Sequence, residues 1–138
     1  MVLRVFKTRT FARWATRVGV SDAALWKSVD EMRQGLLDAD LGGHVVKKRI
    51  ALPGRGKRGG ARTLVATRLA EHWFFLYGFG KNERSDIGGS ALKGLQELAR
   101  DLLGFDEAEI EIALSAGELL ELKHGQDQSK ESGVRGDS

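Results

Sequence analysis

Three neighbouring segments with strand character, close to the middle of the chain, restrict the possible folds more than any other feature of the sequence. They span Val45–Leu52, residues 61–69 and His72–Gly80. Between the first two lie residues 53–60, whose proline and glycines interrupt regular structure. Only two residues, Ala70 and Glu71, separate the second segment from the third, which predicts a hairpin. We therefore predict an antiparallel meander of three strands.

The charge of this region is more unusual than its topology. From residue 41 to residue 70 the chain carries eight Lys or Arg side chains and no Asp or Glu. The formal net charge of the whole chain is only +3, because from residue 101 onward ten acidic side chains outnumber three basic ones. The basic half favours a polyanionic partner such as nucleic acid over the alternative of a solvated surface with uneven charge.

A short strand over residues 2–7 and two amphipathic helices are predicted before the meander. Thr8 or Thr10 offers the N-cap oxygen of the first helix, which Gly19 ends, and Ser21 caps the second helix. Apolar residues at helical spacing form one stripe on each helix: Phe11, Trp14, Ala15 and Val18 on the first, and Leu25, Val29, Met32 and Leu36 on the second. Residues 38–43 are predicted to be a loop.

Two further helices and a last strand are predicted after the meander. Ser90 is expected to cap the third helix, Asp106 and the acidic residues after it begin the fourth, and residues 118–122 form the strand. The predicted order is β-α-α-β-β-β-α-α-β, an α+β domain with helices gathered on a sheet. This domain covers residues 1–123, and the polar residues 124–138 are predicted to be a disordered tail.

Several classes of site are disfavoured by the residues present. The chain has no cysteine, which excludes disulfides and thiolate metal ligands. Its histidines (His44, His72 and His124) lack the spacing of metal-binding motifs, so we predict no metal site. Residues 54–60 lack the order of a phosphate-binding P-loop and no helix follows them. They are either a flexible hairpin connection or a mobile basic loop that closes on a nucleic-acid backbone.

Membrane association is not predicted either. No apolar run approaches the length needed to span a bilayer. The N-terminal residues contain no uninterrupted apolar segment of the signal-peptide type. We therefore expect a cytoplasmic protein.

Seven basic side chains are predicted to gather around the meander: Lys47, Arg49, Lys57, Arg58, Arg62, Lys81 and Arg84. Strand alternation places Lys47 and Arg49 on one face and Lys48 on the other, among core residues. Such a cluster can bind phosphates without base specificity, or it can cleave RNA. Guanidinium groups would neutralise the charge of a pentavalent phosphorane, and a lysine crowded by other cations could act as base or acid. Tyr77 and Trp73 could stack on bases, although core packing is favoured for aromatics in an apolar run.

The sequence resembles a known family. The segments KKRIA (residues 47–51), PGRGKRGGARTLV (53–65) and FFLYGFGKNER (74–84) are similar to the RelE/HigB toxins of bacterial type II toxin–antitoxin systems, within the RelE/ParE superfamily. The segments FKT (6–8) and DADLGG (38–43) match one subgroup, and KNERS (81–85) resembles a family motif. The resemblance covers residues 2–122.

This resemblance implies both a fold and an activity. The fold is the microbial-RNase-like α+β fold, with helices packed on a small antiparallel sheet. The activity is cleavage of mRNA in the ribosomal A site, without metal or other cofactor, which leaves 2′,3′-cyclic phosphate ends. The implied catalytic residues are Lys47, Arg49, Arg62 and Arg84, and the implied RNA-binding residues are Lys48, Lys57, Arg58 and Lys81. RelE itself has an arginine where Asn82 stands and a functional tyrosine where Gly88 stands, so the general acid and base are not assigned, and Lys47 competes with Lys48.

The resemblance also implies partners. These are a cognate antitoxin with a helix-turn-helix domain, the ribosome and mRNA, and operator DNA that is bound only by the toxin–antitoxin complex. The acidic residues 106–116 are either an antitoxin contact or an ordinary solvated helix face. Two alternative functions stay open: a non-catalytic gyrase inhibitor like those of the ParE branch, and a non-toxic basic module that binds nucleic acid.

Overall fold

The residues that the structure describes form a six-stranded sheet with four helices, an α+β fold as predicted. The computed structural model describes residues 3–54, 56–70, 72–80 and 88–123, and of residues 56–59 it describes the backbone alone. The elements in order are β1 (Arg4–Thr8), α1 (Arg9–Val18), α2 (Asp22–Arg33), β2 (Ala39–Gly42), β3 (Val45–Leu52), β4 (Gly56–Thr67), β5 (His72–Gly80), α3 (Gly89–Leu103), α4 (Glu107–Ser115) and β6 (Leu119–Glu121). The predicted tail, residues 124–138, lies outside the described residues.

The strands are ordered β2-β3-β4-β5-β1-β6 across the sheet. The meander β3-β4-β5 is antiparallel, as predicted, and β1 joins it as a parallel neighbour of β5. Two expectations were wrong. Residues 39–42, predicted to be a loop, form an edge strand against β3, and β4 begins at Gly56 inside the segment predicted to interrupt regular structure. In both cases pairing with β3 satisfies the backbone hydrogen bonds, which local composition does not reveal.

Side-chain caps fix most of the helix starts. Thr8 and Ser21 accept hydrogen bonds from backbone N–H groups in the first turns of α1 and α2, and Asp106 forms a reciprocal capping box with Glu109 at the start of α4. The predicted cap at Ser90 was wrong. The first turn of α3 already closes at Gly88, whose carbonyl accepts from the backbone N–H of Leu92 at 2.9 Å.

Helices cover both faces of the sheet. The core on one face combines residues of α1 and α2 with Val46, Ile50 and Val65 of the sheet. The core on the other face combines residues of α3 and α4 with Val45 and Leu64. Strand β5 is buried on both sides, as its apolar sequence predicts. Leu36 does not continue the apolar stripe of α2, because that helix ends at Arg33, and Leu36 is 55% exposed.

Candidate nucleic-acid interface

Three of the predicted site residues share one face of the sheet. Arg49 of β3 lies directly opposite Arg62 of β4, and Lys47 lies opposite Leu64. Residues that face each other across an antiparallel pair project to the same side, so Lys47, Arg49 and Arg62 lie on the face that also bears Leu64. Cationic side chains from two strands are therefore neighbours on a single surface, which we call the Arg49–Arg62 face.

Arg49 is the exposed member of this group. Its side chain is 49% exposed, and its Nε lies 3.3 Å from Oδ2 of Asp38. The backbone of Asp38 is fixed by its N–H, which donates to the carbonyl of Lys47 at 2.8 Å. The sequence pattern did not predict a role for Asp38. Its position in segment 38–43, one of the segments that carry the family resemblance, could have indicated one. An acidic side chain thus positions Arg49 beside the strand without burying it.

Arg62 is half-buried, and no carboxylate among the described residues forms an ion pair with it. It lies opposite Arg49 on one side and opposite Phe79 of β5 on the other. Its Nη1 atom is buried and has no hydrogen-bond partner in the part of the chain that the structure describes. A buried donor without an acceptor is unfavourable, and so is a cation without a counter-charge. An anion at the half-exposed guanidinium would offset that cost.

Lys48 does not belong to this surface. It lies on the opposite face and is only 5% exposed. Its Nζ forms an ion pair with Oε1 of Glu31 at 2.9 Å and donates to the carbonyl of Leu36 at 2.8 Å. To contact RNA on the Arg49–Arg62 face it would have to break both interactions, so we exclude Lys48 from the proposed site. Lys47, which is half-buried, is the lysine beside the two arginines.

The other predicted basic residues fall outside what the structure describes. Lys57 and Arg58 lie on the first residues of β4, whose side chains are not described, and Lys81 and Arg84 lie beyond β5 in residues 81–87. Trp73 is fully buried, as core packing predicts. Tyr77 is half-buried and lies opposite Leu64, on the same face as Arg62. Tyr77 is therefore a partly exposed aromatic side chain on the Arg49–Arg62 face.

Neither a metal centre nor a membrane span is found among the residues that the structure describes. Within residues 3–54, 56–70, 72–80 and 88–123, no three His, Cys, Asp or Glu side chains come close enough together to hold a metal ion. None of the helices in these same ranges is long and apolar enough to cross a membrane.

Comparison with protein families identifies a match over most of the chain. The family model for the RelE toxin of the RelE / RelB toxin–antitoxin system matches residues 3–122. That range includes all ten elements and the whole Arg49–Arg62 face. A comparison with curated proteins finds no significant match.

Proposed function

Because the chain belongs to the RelE toxin family, we propose that it is a ribosome-dependent mRNA endonuclease that inhibits translation. Membership makes the chain a toxin of a toxin–antitoxin system and implies a cognate antitoxin. Toxins of this family are generally endoribonucleases. The observation that carries the proposal is the opposed pair of arginines on β3 and β4, with Lys47 beside them on the same face.

The proposed cleavage reaction has three steps, and the Arg49–Arg62 face can assist them. The 2′-hydroxyl of a nucleotide attacks the adjacent phosphorus, a phosphorane with additional negative charge forms, and the bond to the 5′-oxygen breaks. The products are a 2′,3′-cyclic phosphate and a 5′-hydroxyl. The guanidinium groups of Arg49 and Arg62 would neutralise the phosphorane, since they are held in place before the substrate binds. Arg62 is suited to that role because its buried Nη1 atom has no hydrogen-bond partner among the described residues.

Two proton transfers accompany these steps, one from the 2′-hydroxyl and one to the leaving 5′-oxygen. Arginine stays protonated in proteins, so neither Arg49 nor Arg62 is suited to exchange a proton. Lys47 supplies the amine of the group, and we assign it to proton transfer. Arg84, which lies outside the described residues, completes the proposed catalytic set.

The RNA strand needs contacts beyond the reacting phosphate. Lys57, Arg58 and Lys81 are proposed as backbone contacts because each adjoins an end of β4 or β5 that leads to the Arg49–Arg62 face. Tyr77, the single tyrosine of the chain, is proposed to stack on a base. It would provide an aromatic ring on this face although Gly88 replaces the tyrosine of RelE.

The test is to translate a defined mRNA with purified ribosomes and to map the RNA 5′ ends in the presence of the toxin. We expect cleavage that requires ribosomes, is unaffected by EDTA and leaves 2′,3′-cyclic phosphates. Arg62→Ala should abolish cleavage, whereas Arg33→Ala, which removes an exposed charge from α2, should not. Intact mRNA together with accumulating DNA breaks would instead support gyrase inhibition, and RNA binding without toxicity would support a simple binding module.

The remaining partners follow from this activity. An antitoxin with a helix-turn-helix domain would block the toxin, and only the complex of the two would bind operator DNA. Action on translating ribosomes would place the protein in the cytoplasm. Co-purification of the toxin with the product of a neighbouring gene, followed by operator binding with and without the toxin, tests these assignments.

A further inference from the structure

A row of arginines runs along the exposed side of α1. Arg9, Arg13 and Arg17 are all exposed, whereas the core residues of the same helix are Phe11, Trp14 and Ala15. Residues four apart in a helix lie on one side and are separated by about 6 Å along the axis. This separation is comparable with the distance between successive phosphates of a nucleic-acid strand.

No acidic side chain neutralises this row within the part of the chain that the structure describes. Neither Arg13 nor Arg17 has an ion pair or a hydrogen bond there. Arg9 donates from Nε to the carbonyl of Gly117 at 3.1 Å, and a carbonyl does not cancel its charge. No described acidic side chain therefore competes with an anionic partner for these three positive charges.

A groove connects this row with the sheet. It has a volume of about 470 Å³ and lies between α1 and the last residues of β5. Its lining consists of Thr10, Arg13, Trp14, Arg17, Tyr77, Gly78 and Phe79, and none of these described residues is acidic. The groove exists because β1 stops pairing with β5 at Phe75, which leaves the end of β5 beside α1.

The groove lies at the free edge of β5, one strand away from Arg62, and α1 packs on the face of the sheet opposite to the Arg49–Arg62 face. Phe79, which lines it, lies opposite Arg62 on the neighbouring strand. Tyr77, which also lines it, shares the Arg62 side of the sheet. A larger cavity of about 810 Å³ begins at the other end, where Thr10 and Arg13 line both spaces. That cavity also has Asp101, Glu109 and Glu118 in its wall, so an anionic strand is favoured only in the first groove.

We propose that the groove between α1 and β5 binds the sugar–phosphate backbone of an RNA strand through Arg13 and Arg17. This inference rests on the proposed function. The groove would supply the path along which RNA extends away from the bond that is cut at Arg49 and Arg62. The bound strand is either the mRNA itself or ribosomal RNA, since both offer the same phosphates. An acidic protein is disfavoured because the arginines repeat at a spacing comparable with that of the phosphates along one nucleic-acid strand.

The experiment compares two double variants that remove the same charge. Arg13→Gln/Arg17→Gln alters the groove, and Lys27→Gln/Arg33→Gln alters exposed positions of α2. Both are made in the Arg62→Ala background so that the RNA is not cut. Binding to a short single-stranded RNA and to mRNA-programmed ribosomes is measured as a function of salt concentration. Thermal unfolding of each variant verifies that the fold is intact.

We expect the groove variant to bind more weakly, with a slope of log affinity against log salt that is smaller by about 1.4, because two phosphate contacts are lost. The α2 variant should behave like its parent. Weaker binding to both probes identifies mRNA as the bound strand, and weaker binding to ribosomes alone identifies ribosomal RNA. Equal slopes for the two variants on both probes would overturn the inference.

These outcomes are separable from those of the proposed function. If the wild-type protein cuts mRNA and the groove variant binds like the α2 variant, the groove inference fails while the endonuclease assignment stands. If the wild-type protein does not cut mRNA and the groove variant still loses RNA affinity, the endonuclease assignment fails and the groove stands. Unchanged RNA binding with lost binding of the antitoxin would overturn the inference in favour of an acidic protein ligand.

Discussion

Arg49 and Arg62 lie directly opposite each other on β3 and β4, although like charges at such positions repel. Asp38 compensates Arg49 at 3.3 Å, whereas Arg62 has no carboxylate partner within the described ranges. The pair thus carries an electrostatic cost in the free protein. A bound phosphodiester would relieve that cost, so the arrangement favours ligand binding over stability.

The first prediction separates these two properties at Arg62. Arg62→Met keeps an unbranched side chain and removes both the repulsion and the buried donor, so the free energy of unfolding should rise by up to about 1 kcal/mol. Cleavage of mRNA on ribosomes should fall by about a hundredfold or more, as for the loss of one preorganised donor. Denaturant titration and a cleavage time course measure the two effects. Arg33→Met is the control, and a stability gain of equal size there would show that the repulsion is unimportant.

The second prediction distinguishes the adjacent lysines. Lys48→Ala should lower the free energy of unfolding by about 2 kcal/mol, because it removes a charged donor from the carbonyl of Leu36 and from Glu31. The folded fraction should bind RNA like the wild-type protein. Lys47→Ala, on the opposite face, should reduce cleavage instead. A cleavage defect of Lys48→Ala at full stability would return Lys48 to the site.

The third prediction concerns the contact between α1 and β5. A Cβ atom on Gly78 would overlap the ring of Trp14, so Gly78→Ala should destabilise the protein by about 2 kcal/mol through overpacking. Gly94 lies in an exposed part of α3 with open space around it, and Gly94→Ala should stabilise the protein by about 1 kcal/mol through helix propensity. Thermal unfolding of both variants measures the difference. Shifts of the same sign would contradict the close packing of Trp14 on β5.

The fourth prediction concerns Arg4, which joins three elements. Its Nε and Nη2 donate to the two carboxylate oxygens of Glu121 at 2.9 and 2.8 Å, and its Nη1 lies 2.7 Å from Glu107 on α4. The hydrogen bond to Glu121 is the main cause that holds the pKa of Arg4 above its ordinary value. Arg4 therefore stays charged at every pH at which the protein folds, and salt is the practical way to weaken the cluster.

Arg4→Met should accordingly lower the free energy of unfolding by about 1 kcal/mol at low salt, since the carboxylates are partly solvated. The difference from wild type should shrink as sodium chloride is added. Arg100→Met, which removes an exposed charge from α3, is the control and should show neither effect. A difference that does not depend on salt would mean that the methylene packing of Arg4, including its contact with the Phe6 ring, matters more than its charge.

The sequence by itself determined the helices, the central meander and the family. Caps such as Thr8, Ser21 and Asp106 are local, because each side chain bonds to a backbone group only three residues away. The apolar run of β5 likewise predicted a strand covered on both faces, independently of what covers it. Charge counting identified the basic region without any knowledge of the fold.

Only the tertiary structure decided which basic residues meet. Strand alternation alone places Lys47 and Lys48 on opposite faces of the sheet. That Arg49 lies directly opposite Arg62, however, depends on the register between the strands, which is set by all the residue pairs along β3 and β4. The ion pair of Lys48, the edge strand β2 and the groove beside Arg13 likewise arise from contacts between distant parts of the chain. Local patterns assign a side chain to a face, whereas its neighbours on that face are fixed only when the sheet is assembled.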